Sequence, residues 1–169
     1  MHPYVKLAHK ALKAYLETGQ ILEPPPSLPP ELREPQAVFV SLYAADGELR
    51  GCRGTTEPQE PTLFEAIVQT SIKSAIDDPR FAPMTAGELA GLKIKIDVLG
   101  PLEQVADLAE LDPRRYGVLI QAGPQRALLL PDIPGIDTVD KQLAGARRKA
   151  GIPPDKPIKI LRFSVQRYS

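Results

Sequence analysis

The apolar residues at the beginning of the chain recur every three or four positions. This helical period runs from residue 4 to residue 17 and predicts an amphipathic helix that stops at Gly19. Residues 23–35 (EPPPSLPPELREP) interrupt the period with prolines and predict a stiff connector. We therefore expect residues 1–36 to form an N-terminal helix and a proline-rich connector.

The pattern then changes to the two-residue period of β-strands. Residues 37–43 (AVFVSLY) and 49–55 predict two strands, because they are rich in β-branched, aromatic and alternating apolar positions. Asp46-Gly47 between them is a dipeptide typical of tight hairpin turns. These features predict a β-hairpin.

A helix and a further strand are predicted after the hairpin. Thr62 and Glu65 have the spacing of a capping box, which marks a helix start. Asp77-Asp78-Pro79 predicts the helix end, because proline disfavours a helical residue before it. A second box, Thr85 to Glu88, predicts a short helix to about Leu92, and residues 93–98 (KIKIDV) alternate as a strand does.

The second half of the chain repeats this order. Strands are predicted at 117–121 and 126–130, a helix from a cap at Asp137 to a stop at Gly151, and a strand at 158–165. A further short helix is predicted at 108–111.

Hairpins that alternate with helices favour an α+β fold with a largely antiparallel sheet over a parallel, Rossmann-type one. We predict two β-hairpin–helix–strand repeats, 37–98 and 117–165, with helices packed outside the sheet. A chain of 169 residues is expected to form a single domain, 1–169.

Charge and hydropathy narrow the functional classes. Lys plus Arg equal Asp plus Glu at 21 each, so no net field attracts the chain to nucleic acid or to an anionic membrane. The basic run Arg147-Arg148-Lys149 is interpreted as favourable charge at the end of a helix. The sequence lacks an apolar run of about 18 residues and, in MHPYVKLAHK, the apolar segment of a signal peptide. We therefore expect no membrane or nucleic-acid partner and a cytoplasmic location.

Motif patterns predict neither a cofactor nor a metal. The chain contains no G-x-G-x-x-G or P-loop pattern, and no three ligands occur at metal spacing. Asp77, Asp78 and Arg80 in the segment DDPRF suggest a paired-carboxylate site. Adjacent acids at a helix end are more commonly turn formers, which is the interpretation we favour.

The single cysteine lies in the predicted hairpin, in the segment LRGCRG. A turn at Asp46-Gly47 pairs Cys52 with Ser41 and Arg50 with Tyr43, so these four side chains are expected on one face of the sheet. A shift of the pairing by one residue would reverse the face.

Glycines and arginines surround Cys52. Glycine inside a strand marks a bulge or a place where something approaches the backbone closely, and Gly51 and Gly54 flank the cysteine. With Arg50 and Arg53, these glycines would admit a small anion or carboxylate to the main-chain amides.

A second interpretation makes Cys52 a nucleophile or a redox thiol. Arg50 and Arg53 would favour its thiolate form. No base is evident, because the only histidines are His2 and His9, near the beginning of the chain. A structural cysteine packed as a small hydrophobic residue is the third possibility.

Several segments together resemble one family, protein A of the AmmeMemoRadiSam system, whose domain is named after the Alport-syndrome and elliptocytosis chromosomal region. The family hallmark Leu-Arg-Gly-Cys-Ile-Gly is similar to residues 49–54, LRGCRG. A second family signature is similar to residues 78–84, DPRFAPM. Further similar segments follow in the family's order over nearly the whole chain: Tyr116-Gly117, LLLP at 128–131 and KAGIPP at 149–154.

The resemblance implies a two-part fold whose related repeats share an antiparallel, barrel-like sheet. It also implies a bacterial or archaeal system in which the protein accompanies a Memo-like protein and a radical S-adenosylmethionine enzyme. Two residues depart from the family pattern. Arg53 replaces the usual isoleucine, and Tyr116 stands where members often carry a histidine, so a mechanism that uses that histidine as base is not expected here.

Three functions therefore stay open. We favour an accessory binding module, in which a small anionic or carboxylate ligand binds at Arg50, Gly51, Arg53, Gly54 and Arg80. The alternatives are an enzyme with Cys52 as its catalytic residue and a purely structural scaffold. The first two require the thiol and its arginines to line a hollow that solvent can reach.

Overall fold

A computed structural model describes residues 1–169, and the chain divides into two compact units. The first comprises Met1–Leu99 together with Gln166–Ser169, and the second comprises Gly100–Val165. In each unit a hairpin, a helix packed on the sheet and a further strand follow one another along the chain. None of the helices is both long and apolar enough to cross a membrane.

The first unit contains two helices and three strands. They are α1 (Pro3–Thr18), β1 (Ala37–Tyr43), β2 (Leu49–Gly54), α2 (Leu63–Ile76) and β3 (Lys93–Leu99), with short 3-10 helices at Pro30–Leu32 and Ala86–Leu89. Helix α1 ends at Gly19, whose φ of 75° is left-handed, and α2 begins where the Thr62 hydroxyl accepts a hydrogen bond from the Glu65 amide. The predicted helix start and stop signals are confirmed at both positions.

Strand β1 lies between β2 and β3, and both pairings are antiparallel. Alternation along the strands gives this sheet one apolar face, which packs against α1 and α2. Its buried residues are Val38, Val40, Leu42, Ile94, Ile96 and Val98. The opposite face carries the side chains of Ser41 and Cys52, and these two residues pair across β1 and β2.

The second unit contains β4 (Glu103–Gln104), β5 (Tyr116–Ala122), β6 (Gln125–Leu129), α3 (Val139–Ala150) and most of β7 (Lys159–Tyr168), with a short 3-10 helix at Leu108–Glu110. Strand β5 pairs with β6 and with β7, and β4 pairs with β7, all in antiparallel orientation. The core of this unit packs β5 against α3 through Val118, Ile120, Ala122 and Ala146.

The α+β class, the antiparallel pairing and the hairpin–helix–strand order of both halves are confirmed. Three details differ from the prediction. The cap of α3 is Thr138 rather than Asp137, whose carboxylate binds Lys141 instead. The predicted helix from Thr85 to about Leu92 is a 3-10 turn that ends at Leu89. The third difference lies at Arg50 and is described with the site. That the 169 residues form a single domain stays a prediction.

Candidate functional site

The end of α2 lies unusually close to β2, and Gly51 makes this approach possible. A Cβ atom at position 51 would lie much closer to the Ser74 carbonyl oxygen than van der Waals contact allows. At Gly54 the space for a side chain is filled by the ring of Phe39. The sequence correctly indicated a close approach to the backbone at both glycines, but the approaching groups belong to the chain itself. On the side toward which a side chain would point, neither glycine leaves open space for a ligand.

The hydroxyl of Ser74 joins the two strands of the hairpin where α2 touches them. It accepts a hydrogen bond from the Arg53 amide at 3.0 Å and donates to the Val40 carbonyl at 2.8 Å, with the Thr70 carbonyl as an equally distant acceptor. Val40 and Arg53 are directly opposite each other in β1 and β2. A buried side chain thus completes the hydrogen bonding of the ladder at this pair.

Replacement of Ser74 by alanine is expected to lower the free energy of unfolding by about 1–3 kcal/mol, because it leaves a buried amide and a carbonyl without their partner. The amide of Arg53 should also exchange its hydrogen faster. Urea unfolding and native-state hydrogen exchange measure the two effects. Ser71→Ala is the control: Ser71 is fully buried on the same helix, but its hydroxyl bonds only to the Ile67 carbonyl. An equal loss of stability in both variants would contradict the bridging role.

Cys52 is half-buried on the sheet face that α1 and α2 do not cover. Its Sγ lies 3.2 Å from the Oγ of Ser41, and this is the one hydrogen-bond contact of the thiol. The predicted pairing of these residues is confirmed. The predicted pairing of Arg50 with Tyr43 is wrong: Tyr43 pairs with Leu49, and Arg50 is the extra residue of a bulge.

Asp78 connects Cys52 to Arg80. Its carboxylate is 4% exposed and accepts hydrogen bonds from the Cys52 amide at 2.9 Å and from Nε and Nη2 of Arg80 at 3.0 and 2.8 Å. The bonds from the Arg80 guanidinium hold the pKa of Asp78 well below its usual value. The same bonds raise the pKa of Arg80.

The ring of Phe81 lies near two arginines, one from the hairpin and one from the DDPRF segment. The guanidinium carbons of Arg80 and Arg50 lie 5.4 and 5.9 Å from the centre of its ring. The Arg50 side chain is 19% exposed and thus more buried than that of Arg80. Its Nε donates to Glu88 at 2.6 Å and its Nη2 donates to the Ala82 carbonyl at 2.9 Å. Its Nη1 is buried without a partner. Arg50 is thus mainly a contact between β2 and the segment after α2.

Arg53 belongs to the other face of β2. Its guanidinium lies 3.7 Å from the carboxylate of Asp77, and both side chains are largely exposed. Asp77 and Asp78 therefore bind different arginines, so they do not form the paired-carboxylate site that DDPRF suggested. The structure brings Cys52, Arg50 and Arg80 together and directs the Arg53 side chain to the opposite face of β2. Gly54 lies on the Cys52 face, where the Phe39 ring fills the space for a side chain.

The two histidines have structural surroundings. His2 caps α1 by accepting the Tyr4 amide, and its ring stacks on Tyr168 at 4.2 Å. Burial lowers the pKa of His9, which lies within α1. Neither histidine is a hydrogen-bond partner of Cys52. No group of three or more His, Cys, Asp or Glu side chains is arranged to hold a metal ion.

Two contacts of the site were not anticipated from the sequence. The bond from Asp78 to the Cys52 amide joins residues 26 positions apart, and no local pattern distinguishes Asp78 from Asp77. The sequence does not predict the role of Ser74, because a serine near the end of a helix does not by itself indicate a tertiary hydrogen bond. Phe81 lay within a segment that the sequence had singled out, and its position directly after Arg80 gave the available signal.

The fold and the site define an α+β protein with a thiol and guanidinium cluster at the edge of its first sheet. A family model described as AMMECR1 matches residues 5–168. The chain belongs to this family, and the resemblance predicted from its sequence segments is confirmed.

Relatives cover the chain almost completely. A protein of Thermotoga maritima is 47% identical over 99% of this chain and 97% of its own length. A protein of Clostridium acetobutylicum is 40% identical over 98% of this chain but only 36% of its own length. The crystal structure of uncharacterized protein PH0010 from Pyrococcus horikoshii is similar with a TM-score of 0.88 and 36% identity, over 97% of this chain and 88% of that one.

Proposed function

We propose that this protein is a binding module in which a small carboxylate or other anionic group docks beside Cys52 against Arg80. The observation that carries the proposal is the bidentate bond between Asp78 and Arg80. It fixes the guanidinium beside the carboxylate that binds the Cys52 amide, while the Arg80 side chain stays 57% exposed. Nε and Nη2 are bound to Asp78, so Nη1 is available to a ligand.

The site attracts a ligand through fixed donors rather than through excess charge. Each of its two arginines has a carboxylate partner: Arg50 with Glu88 and Arg80 with Asp78. A guanidinium that is already held in place loses little side-chain entropy when it binds. The planar donor geometry of arginine also suits a carboxylate or a phosphate.

The surroundings of the thiol favour binding over acid–base catalysis. A nucleophilic thiol is activated by an adjacent base, and the only hydrogen-bond partner of the Cys52 side chain is the Ser41 hydroxyl. Asp78 is the nearest acid in the network, but its carboxylate is occupied by Arg80 and by the Cys52 amide. Hydrogen bonds from Arg80 keep the pKa of Asp78 low, which makes this carboxylate a weak base.

The proposed role is accessory. We propose that the protein works in the cytoplasm with a Memo-like protein and a radical S-adenosylmethionine enzyme, as the family resemblance of the LRGCRG and DPRFAPM segments implies. In this role the partner supplies the chemistry, and the present chain holds a ligand or an anionic side chain of that partner.

A thiol-dependent enzyme is the second candidate. The contact that favours it is the 3.2 Å separation of Cys52 Sγ and Ser41 Oγ, because a hydroxyl donor stabilises a thiolate. The variant Cys52→Ala distinguishes the candidates. If the protein is a binding module, the variant keeps its affinity for the ligand. If Cys52 is a catalytic nucleophile, the variant no longer forms product.

The proposal is tested by titrating the protein with acetate, succinate, inorganic phosphate and adenosine monophosphate. We expect at least one of them to raise the melting temperature and to slow the labelling of Cys52 by iodoacetamide. Arg80→Lys keeps the charge but loses the bidentate geometry, and should weaken that binding about tenfold. The matched control is Arg148→Gln, an exposed arginine of α3 without an ion pair. If none of the four compounds changes either quantity in the wild-type protein, the proposed ligand site is refuted.

A further inference from the structure

A separate small hollow lies on the helix side of the first unit, on the face of β2 opposite to the Cys52 thiol. It is enclosed by the end of β2, by α2 and by the loop that joins them, and its volume is about 120 Å³. Its polar wall consists of Gln36, Arg53, Thr55, Gln59, Glu60, Thr70 and Lys73.

Thr70 is the residue that distinguishes this hollow from an ordinary surface depression. It is 8% exposed, and its hydroxyl has no hydrogen-bond partner in the protein. Ser71 and Ser74, the other buried hydroxyl residues of α2, both donate to backbone carbonyls. Solvent that enters the hollow reaches the Thr70 hydroxyl, which can therefore bond to a group bound there.

Two cations of the wall are loosely held. Lys73 forms no ion pair, and Arg53 has one at the long distance of 3.7 Å. Lys73 lies in the last turn of α2, where a cation interacts favourably with the helix dipole. That interaction explains a lysine at this position, and it leaves the ammonium group near the Thr70 hydroxyl in the wall of the hollow.

We propose that this hollow binds one phosphate-sized oxyanion, either free phosphate or the terminal phosphate of a small molecule. The volume is several times the roughly 10–15 Å³ that one water needs and well below the roughly 300 Å³ of a pocket for a drug-sized ligand. Arg53 and Lys73 supply charge, and Thr70 supplies a hydroxyl donor. Glu60 is the one acid of the wall. Its carboxylate can accept a hydrogen bond from an oxyanion that retains a proton, as inorganic phosphate does near neutral pH.

The proposal does not depend on the ligand site at Arg80. The thiol and Arg53 belong to opposite faces of β2, and no residue of the hollow contacts Asp78 or Arg80. Arg53, where the family usually carries isoleucine, gives this chain a cation that the family pattern does not require.

Isothermal titration with inorganic phosphate and with glycerol phosphate tests the proposal. We expect saturable binding at one site, weakened about tenfold or more by Lys73→Gln and by Arg53→Gln. Thr70→Val, which removes the hydroxyl but keeps the shape, should weaken binding several-fold, whereas Thr70→Ser should restore it. Tighter binding of inorganic phosphate would identify the free ion as ligand, and tighter binding of glycerol phosphate would identify a phosphomonoester.

Two variants serve as controls for charge and for the other site. Lys13→Gln removes an exposed lysine of α1, and Arg80→Lys alters the site beside Cys52. Both should bind phosphate as the wild-type protein does. The proposal is overturned if neither probe binds the wild-type protein, if Lys73→Gln and Lys13→Gln have equal effects, or if Arg80→Lys alone removes binding. Melting curves of every variant show whether each one is folded.

Discussion

Replacement of Gly51 by alanine is expected to destabilise the protein by about 3 kcal/mol or more. The added methyl group would collide with the carbonyl oxygen of Ser74. This oxygen belongs to the backbone of α2, so it cannot rotate away as the end of a flexible side chain can. The helix and the hairpin would have to separate, which would also break the hydrogen bonds of the Ser74 hydroxyl. Urea unfolding followed by circular dichroism measures the loss.

Gly87→Ala is the matched control for this variant. A methyl group at position 87 would have the Thr85 hydroxyl oxygen as its nearest neighbour, at 3.9 Å, which is ordinary van der Waals contact. Its effect should stay within about 0.5 kcal/mol, as for most surface substitutions. If the two variants unfolded at the same urea concentration, the close packing of α2 on β2 would not be the reason for glycine at position 51.

Replacement of Asp78 by asparagine is expected to lower the free energy of unfolding by about 2–3 kcal/mol at neutral pH. Asp78 accepts from the Cys52 amide and from two nitrogens of Arg80. An asparagine side chain keeps one acceptor but turns an NH₂ group toward one of these donors. The variant would therefore leave a buried donor without an acceptor and would release Arg80 from its fixed position. Loss of the ligand binding proposed beside Cys52 should accompany the loss of stability.

The stabilisation by Asp78 should decrease as the pH falls. Its pKa in the folded protein lies below the unfolded value, because the Arg80 guanidinium favours the ionised form. The contribution is fully present above the unfolded value of about 4 and is lost as the pH falls toward the folded value. The difference in unfolding free energy between the wild-type protein and Asp78→Asn should thus be constant above about pH 5 and become smaller below pH 4.

Asp77→Asn provides the control at the adjacent position. Asp77 is 67% exposed and has a single ion pair at 3.7 Å, so its replacement should change stability by less than about 1 kcal/mol. Urea titrations of both variants at several pH values test the contrast. Equal losses for the two aspartates, or a difference for Asp78 that grows in acid, would contradict the role assigned to the buried carboxylate.

The two proposed sites lie on opposite faces of the hairpin strand β2. Its bulge and its close contact with α2 fix the backbone, and the two faces of β2 then carry separate groups: the thiol near Arg80 on one face, and Arg53 on the other. Asp78 and Ser74 each bind an amide of this strand, from residues Cys52 and Arg53. Ligand binding on either face should therefore require an intact hairpin, but not occupancy of the other face.

Local sequence patterns determined most of the fold. Gly19, Thr62 and the Asp46-Gly47 turn predicted the end of α1, the start of α2 and the position of the hairpin. These signals are reliable because each one acts through the conformation or hydrogen bonding of neighbouring residues. The pairing of Ser41 with Cys52 followed from the turn, since the distance from the turn sets the partners.

The tertiary structure alone decided what surrounds the thiol. The hydrogen bonds that build the site join residues 26, 21 and 38 positions apart, from Asp78 to Cys52, from Ser74 to Arg53 and from Glu88 to Arg50. Adjacent aspartates have the same local pattern, yet only Asp78 is buried against β2. Sequence periodicity fixes which face of a strand a residue occupies. The tertiary partner of that residue depends on how closely separate elements pack. Here the close approach of α2 to β2 is made possible by the absence of a side chain at Gly51.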